Sequence, residues 1–197
     1  NSGQGIDASR GNLIRDCFLK GNGYRGIDGG AFCTAIGNTC LDNGDVGIYL
    51  GEGGVASNNT VSGSSVHGIA VTYGCTVTNN TAYDNGNIGI HGGHGGTVTD
   101  NTAYGNQNFG IAGTKGCLIS RNTVRNNAKD GIYAGDNCTV SHNSAYNNGF
   151  EDDGAGIRVL CNNRIEGNHV TGNDRGIDVD SSGNLIVKNS ARSNTTN

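Results

Sequence analysis

Four side chains in this sequence could carry out a proton transfer, and all of them follow a repeated Gly-Ile pair: His91, Lys115, Tyr133 and Arg158. Removing a proton beside a carboxylate requires a base, a cation that neutralises the carboxylate, and an acid for the leaving oxygen. His91 could supply the base, Lys115 or Arg158 the cation, and Tyr133 the acid. These residues predict a candidate catalytic face, although His, Tyr and Arg are also ordinary residues on solvated strands.

Two further pairs of side chains could contact a substrate. Tyr49 and His94 occupy the same repeated positions as the four candidates above. Small residues between them predict a shallow groove: Ala70, Gly93, Ala112 and Gly135. Tyr83 and Tyr104 recur on a different face, where aromatic rings could stack on sugars. Packing between neighbouring strands would explain these two tyrosines equally well.

One acidic cluster could hold a metal ion. The segment GFEDDGAG carries four extra residues after Asn148 and contains Glu151, Asp152 and Asp153. Carboxylate oxygens are ligands that Ca²⁺ prefers, but the cluster lacks the regular spacing of a calcium-binding loop. A solvated charged bulge is therefore the favoured interpretation of this cluster, calcium binding is the alternative, and no other cofactor is predicted.

All these candidates have defined positions relative to a sequence repeat. The pair Gly-Ile recurs at intervals of 21 residues and then of 25 and 20, at Gly5, Gly26, Gly47, Gly68, Gly89, Gly110, Gly131, Gly156 and Gly176. In most copies an asparagine follows twelve residues later, at Asn38, Asn59, Asn80, Asn101, Asn122, Asn143 and Asn168. A period this strict is typical of a solenoid. Residues 1–197 are therefore predicted to form one elongated domain.

Each copy contains three short segments in which inward and outward residues alternate, separated by Gly or Asn. This pattern predicts three short strands per coil, with successive coils paired in parallel. Crossovers between parallel strands favour right-handed connections. The predicted fold class is thus all-β, a single-domain right-handed parallel β-helix (β-solenoid) of about nine coils of 21 residues.

The column of seven asparagines is predicted to be structural. Asn tolerates left-handed backbone conformations, which would form the bend in each coil. Its side-chain amide can also bond to the amide one coil above, as in stacked cross-β structures. We therefore expect an asparagine ladder along one corner of the solenoid.

The coil pattern GI-x-V…CTV-x-NN-T-A…N resembles the right-handed parallel β-helix repeat family of the pectate-lyase-like superfamily, over essentially the whole chain. The resemblance implies a secreted or surface protein, and many relatives bind, cleave or epimerise acidic polysaccharides. In catalytic relatives the face that follows Gly-Ile carries the active site. The sequence has no Asp-Pro-His-Glu element and no proline, so the catalytic residues of such relatives do not carry over.

Composition argues against several classes of protein. The net charge is -4 and the 13 basic residues are scattered, which argues against a nucleic-acid partner. No apolar run approaches the roughly 20 residues that span a bilayer, so no membrane span is predicted. The seven cysteines lack the spacing of a zinc site, and four of them share a slot that glycine fills in other copies. Small buried thiols are the favoured interpretation.

Two functions stay open from the sequence. The period is regular and neither terminus shows a recognisable cap, so exposed strand edges could pair head to tail with other copies into fibres. The leading hypothesis is an extracellular or cell-surface structural solenoid that self-assembles and contacts glycans on an outer face. The alternative is a polysaccharide-active enzyme, namely a lyase, C5-epimerase or glycoside hydrolase, with its site on the face after Gly-Ile.

Overall fold

A computed structural model describes residues 2–150 and 154–196, so the predicted calcium cluster at Glu151, Asp152 and Asp153 lies outside the described residues. The described part contains 27 strands. Coils one to three hold β1 (Ile6–Ala8), β2 (Leu13–Arg15), β3 (Phe18–Lys20), β4 (Ile27–Gly29), β5 (Thr34–Ile36), β6 (Thr39–Leu41), β7 (Ile48–Leu50), β8 (Val55–Ser57) and β9 (Thr60–Ser62). Coils four to six hold β10 (Ile69–Val71), β11 (Thr76–Thr78), β12 (Thr81–Tyr83), β13 (Ile90–His91), β14 (Thr97–Thr99), β15 (Thr102–Tyr104), β16 (Ile111–Lys115), β17 (Leu118–Ser120) and β18 (Thr123–Arg125). Coils seven to nine hold β19 (Ile132–Asp136), β20 (Thr139–Ser141), β21 (Ser144–Tyr146), β22 (Ala155–Val159), β23 (Arg164–Glu166), β24 (His169–Thr171), β25 (Arg175–Val179), β26 (Leu185–Val187) and β27 (Ser190–Arg192).

Every third strand joins the same sheet, which gives three parallel sheets of nine strands each in the described part. The first sheet runs from β1 to β25, the second from β2 to β26 and the third from β3 to β27. The register places equivalent residues of successive coils side by side, as when Ile69 pairs with Ile48 and with Ile90. The predicted all-β solenoid of about nine coils with three short strands per coil is therefore confirmed. No helix capable of crossing a membrane occurs among these residues.

The core is a narrow stack of inward side chains, because alternate residues of each short strand point into the interior. On the first sheet the isoleucine of Gly-Ile points inward, and in several coils so does the residue two positions later, such as Leu50. Seven of these isoleucines are fully buried: Ile27, Ile48, Ile69, Ile90, Ile111, Ile132 and Ile157. Burial of one such side chain contributes about 2 kcal/mol. The second and third sheets present smaller Val, Ala and Ile residues.

Each ladder asparagine connects its own coil to the coils below and above, as Asn101 illustrates. Its Nδ2 donates to the carbonyl of Val77 (2.9 Å) and to Oδ1 of Asn122 (3.1 Å). Its Oδ1 accepts a hydrogen bond from the backbone N–H of Asn80 (2.9 Å). Since Asn101 is only 1% exposed, these bonds satisfy polar groups that water does not reach.

The prediction that the ladder asparagines adopt the left-handed conformation is wrong by one residue. The positive φ falls on the preceding residue, such as Asn79 (56°), Asp100 (60°) and Arg121 (55°). These preceding residues are exposed, whereas the ladder side chains point inward. The bend therefore needs an outward residue with φ > 0, which leaves the next residue oriented for stacking.

The glycine of Gly-Ile is required by a second asparagine ladder, five residues after the first. In this ladder Asn85 Nδ2 donates to Asn106 Oδ1 (2.9 Å). A Cβ on Gly89 would lie 2.6 Å from Asn106 Nδ2 and 2.7 Å from the carbonyl oxygen of Gly110. The glycine of Gly-Ile and the second asparagine ladder are thus parts of one packing arrangement.

The seven cysteines, all of them in the described part, are free thiols. Four are buried in the slot shared with glycine, which agrees with the prediction of small buried thiols: Cys33, Cys75, Cys117 and Cys138. In several coils the side chain in this slot also accepts a hydrogen bond from a backbone N–H of the neighbouring coil. The backbone N–H of Cys117 points to Sγ of Cys138 (3.4 Å), and that of Cys138 donates to Oδ1 of Asn163 (2.7 Å).

Candidate functional site

The outer face of the first sheet carries three parallel columns of side chains. The central column follows Gly-Ile and comprises Asp7, Asp28, Tyr49, Ala70, His91, Ala112, Tyr133, Arg158 and Asp178. The turn column precedes Gly-Ile and comprises Arg25, Val46, His67, Ile88, Phe109 and Asp130. The edge column comprises Glu52, Tyr73, His94, Lys115 and Asp136. The predicted residues Tyr49, His91, His94, Lys115, Tyr133 and Arg158 therefore share this face.

Rings of the turn column stack under rings of the central column. His67 lies under His91, with ring centroids 6.0 Å apart and planes inclined by 20°. Phe109 lies under Tyr133 in the same way, at 5.3 Å and 9°. The predicted shallow groove is wrong at the intervening alanines, since Ala70 is only 7% exposed and lies on the coil whose turn carries His67.

His91 has the surroundings of a neutral histidine. Burial lowers its pKa, an effect that the nearby His94 increases and a hydrogen bond to the backbone of Val71 opposes. Burial and His91 likewise lower the pKa of His67. The backbone N–H of Ile88 donates to Nδ1 of His67 (3.3 Å), which requires a lone pair on that nitrogen. Both rings thus favour the uncharged form that can accept a proton.

The middle of the face combines these histidines with a cation. We call the following five residues of coils four to six the histidine window: His67, Tyr73, His91, His94 and Lys115. Tyr73 and His94 stack at 5.1 Å and 11° in the edge column, and Lys115 is exposed one coil above them. On these three coils the columns contain no carboxylate. The carboxylates that act on the window come from the neighbouring coils, namely Asp45 on His67 and Asp136 beside Lys115.

Acidic residues surround Arg158 above the window. Its Nε lies 2.8 Å from Oδ2 of Asp180, so the guanidinium already has an anionic partner. Asp130 is 1% exposed, and its Oδ1 accepts the backbone N–H of Ala155 (2.7 Å). Burial raises the pKa of Asp130 to about 6. The structure therefore separates Arg158 from the window, and Lys115 is the better placed of the two predicted cations.

Tyr133 links the window to this acidic region. Burial is the largest cause that raises its pKa, and the nearby Arg158 opposes the shift. Its phenol therefore keeps its proton at neutral pH and can donate it.

The predicted pair Tyr83 and Tyr104 lies on the third sheet, away from the window. The rings stack on each other at 5.0 Å and 5°, and Arg125 lies 4.2 Å from the Tyr104 ring centroid. Both faces of Tyr104 are thus covered within the protein. A sugar would meet its hydroxyl and edge rather than its ring face.

Sequence reasoning missed the turn column, although a signal for it is present. From Arg25 to Asp130, the residue before Gly-Ile alternates between a partly exposed side chain and a buried one. His67 and Phe109 occupy two of the partly exposed positions and Asp130 a buried one. Among residues 2–150 and 154–196, no group of three or more His, Cys, Asp or Glu side chains could hold a metal ion.

Comparison with known proteins identifies the fold family. A family profile described as "Right handed beta helix region" matches residues 1–117, 26–161 and 112–197, which together span the chain. The chain belongs to the right-handed β-helix family. The right-handed parallel β-helix predicted from the coil pattern is thereby confirmed. No curated protein matched the sequence.

Several solved structures share this right-handed β-helix. The A-module of the mannuronan C-5 epimerase AlgE6 from Azotobacter vinelandii is 14% identical, with a TM-score of 0.78. The A-module of AlgE4 from the same organism is 18% identical, with a TM-score of 0.72. In both cases the match covers 91% of this chain and 64% of the epimerase module. The periplasmic alginate epimerase AlgG is 18% identical, with a TM-score of 0.69 over 93% of this chain and 50% of that one. These β-helices are larger than the present chain, and the similarity is one of fold.

Proposed function

We propose that this right-handed β-helix protein is a polysaccharide-active enzyme that transfers protons on an acidic sugar chain bound at the histidine window. The observation that carries the proposal is the composition of the window itself. Three histidines and a lysine occupy consecutive coils without a carboxylate, and His67 and His91 have lowered pKa values. A neutral base beside a cation is what proton abstraction next to a carboxylate needs.

The steps follow from the positions of the side chains. The free lone pair of His91 removes the proton from the sugar carbon that carries the carboxylate. The electron pair of the broken C–H bond delocalises into that carboxylate, where the Lys115 ammonium balances the charge. Tyr133 lies two coils above His91, about 9.6 Å along the solenoid axis, so it contacts a different sugar and does not supply the proton for this step. Return of a proton from water to the opposite face of the same carbon gives an epimer. Elimination results instead when the bond from the neighbouring carbon to the glycosidic oxygen breaks, a carbon–carbon double bond forms, and the protonated His91 gives its proton to the departing oxygen.

The structural neighbours support the substrate class and the compartment. Two of them are named as epimerases of mannuronan and one as a periplasmic alginate epimerase. Because identity is at most 18% for these three, their activities suggest candidate substrates without establishing one. We accordingly propose that this protein acts outside the cytoplasm, at the cell surface or in an extracellular space.

The test is turnover of uronate polymers by the purified protein. Polymannuronate and polygalacturonate are incubated with it, and inversion at C5 is followed by NMR and unsaturated products by ultraviolet absorbance. His91→Ala is expected to reduce the rate by at least about 100-fold, the usual contribution of a general base. His169→Ala, which removes a histidine from the third sheet, is the matched control and should keep the rate. Full activity of His91→Ala would reject the site, and failure of the wild type to convert either polymer would reject the proposal.

A second proposal is the end-to-end association predicted from the sequence. It is supported by Ile186, the inward residue of the last coil on the second sheet, which is 46% exposed whereas the equivalent Ile165 one coil earlier is fully buried. A coil contributed by another copy would cover Ile186. Sedimentation over a range of concentrations should show assemblies that Ile186→Lys prevents. Monomers of wild type at every concentration would reject this association.

A further inference from the structure

The outer face of the first sheet contains an arrangement that repeats every two coils. Arg25 lies 3.9 Å from the ring centroid of Tyr49, as His67 lies under His91 and Phe109 under Tyr133. The lower members are at positions 25, 67 and 109, two coils apart in each case. The upper members lie in the central column one coil above, at sequence positions 49, 91 and 133. The face is therefore organised in units of two coils, although the fold itself repeats every coil.

From this arrangement we infer that the ligand is an extended polysaccharide that lies along the solenoid axis and presents the same groups at every second sugar. Neighbouring parallel strands are about 4.8 Å apart, so successive stacked pairs are about 9.6 Å apart. A polymer in which alternate sugars are flipped repeats its contacts in this way. A single sugar would contact only one pair. The inference rests on the proposed function and adds to it the direction and the repeat of the substrate chain.

The chemistry of the contacts follows from the stacking. One ring face of His91 and of Tyr133 is covered by the partner below, so stacking on a ligand can use at most the opposite face, while the ring edges stay available. The edges of Tyr49, His91 and Tyr133 each carry a polar atom that can bond to a sugar hydroxyl or carboxylate. Ala70 and Ala112 stand between these residues in the central column and offer no such group. Hydrogen bonds from these ring edges at every second coil are therefore expected to give binding its two-coil repeat.

Packing alone explains part of this arrangement. An alanine in the central column leaves room for the rings of His67 and Phe109, whereas Arg25 is held in place by ion pairs with Asp28 and Asp45. Packing does not account for a polar edge at each of the three upper positions. A variant that keeps the ring and removes only the polar atom separates the two explanations, and Tyr49→Phe is such a variant.

The experiment measures the affinity of oligomannuronates, from the disaccharide to the octasaccharide, by calorimetry. For wild type we expect affinity to rise in steps, by roughly fivefold each time two sugars are added. Tyr49→Phe should lose roughly fivefold in affinity for the longest oligomers and nothing for the disaccharide. Tyr146→Phe on the third sheet, the matched control, should bind as wild type does.

Three results would overturn the inference. Affinity that rises equally with each added sugar, or that is already complete at the disaccharide, would contradict a two-coil repeat. Unchanged binding of the octasaccharide by Tyr49→Phe would show that the arrangement serves packing only. In these cases the proposed function survives, because oligomers still bind. Failure of the octasaccharide and of long polymannuronate to bind at all would overturn the inference together with the proposed substrate.

Discussion

The asparagine ladder and the outer face of the first sheet lie on the same coils but follow opposite rules. The ladder repeats one residue type, and its seven members are 1–2% exposed. The central column of the face changes from coil to coil, from Tyr49 to Ala70 to His91, and most of its polar side chains are half-buried. The same register thus produces uniformity inside and variety outside.

The cause of the difference is the partner that each side chain meets. A ladder asparagine bonds to the asparagines above and below it, so a change at one coil leaves bonds unmade at its neighbours. A residue on the outer face meets solvent or a ligand, which imposes no such condition on the next coil. A residue type that repeats without variation therefore indicates a role in stability. Residue types that vary along an outward column indicate a role in function.

The largest effect is expected where the ladder is broken. Asn101→Ala leaves the backbone N–H of Asn80 and the carbonyl of Val77 without this partner in a buried place. Each buried unsatisfied group costs about 1–3 kcal/mol, so a loss of about 3 kcal/mol or more in the free energy of unfolding is expected. Urea denaturation of the variant and the wild type measures it.

An exposed position on the next bend provides the control for this change. Gln107→Ala lies close to Asn101 in sequence, and its side chain is exposed. It should alter the free energy of unfolding by less than about 0.5 kcal/mol. Equal losses for the two variants would contradict the distinction between ladder and surface.

Asp130 belongs to the outer face of the first sheet but is buried as deeply as the ladder asparagines. It therefore tests what burial does to a polar residue that has no ladder partner. Its Oδ2 has no hydrogen-bond partner among the described residues, and Arg158, Asp178 and Asp180 are the charged groups that act on it. Asp130→Asn keeps an oxygen for the backbone N–H of Ala155 and removes the buried charge. The variant is therefore expected to be more stable than wild type wherever Asp130 would be ionised.

The pH dependence follows from the direction of the shift. The pKa of Asp130 in the folded protein is raised to about 6, above its value in the unfolded chain, so folding disfavours the ionised form. The penalty is absent near pH 4 and lower, grows as the pH rises through the folded pKa, and is complete above it. Its size is about 3 kcal/mol for a shift of about two units. Urea denaturation should show Asp130→Asn stabilised near pH 8 and equal to wild type near pH 4. A difference independent of pH would contradict this account.

Most of the fold could be predicted from the sequence because stacking makes the period visible. Each Gly-Ile pair marks one coil. The inward isoleucine and the ladder asparagine recur from coil to coil because each packs against the same residue type in the neighbouring coils. The left-handed residue of the bend was misplaced by one position. Asn79, Asp100 and Arg121 share only exposure and a positive φ, so no common residue type marks that position in the sequence.

The candidate site could be predicted only in part. The central column was visible because it follows a fixed landmark, and the register places Tyr49, His91, Tyr133 and Arg158 on it. The stacking of His67 under His91 was not predictable from spacing within one coil, because it joins two columns across neighbouring coils. The ion pair of Arg158 with Asp180 was missed for the same reason, since the partners come from different strands of the solenoid.

The smallest effect is expected within the histidine window, where the charge of one side chain acts on another. Burial is the largest cause of the lowered pKa of His91, and the repulsion by His94 is a smaller one. His94→Gln removes that repulsion and keeps a polar side chain at an exposed position. The pKa of His91 should therefore rise in the variant and still stay below the ordinary value for histidine, with a stability change below about 0.5 kcal/mol.

An NMR titration of the histidine ring signals distinguishes these two causes. If the pKa of His91 returned to the ordinary value in His94→Gln, charge repulsion and not burial would keep His91 neutral. The window would then depend on salt, because repulsion between exposed charges is screened. If burial dominates, as the structure indicates, His91 stays a neutral base at high and low ionic strength alike. The outer face would then share one property with the ladder, namely a polar group whose state is fixed by the packing around it.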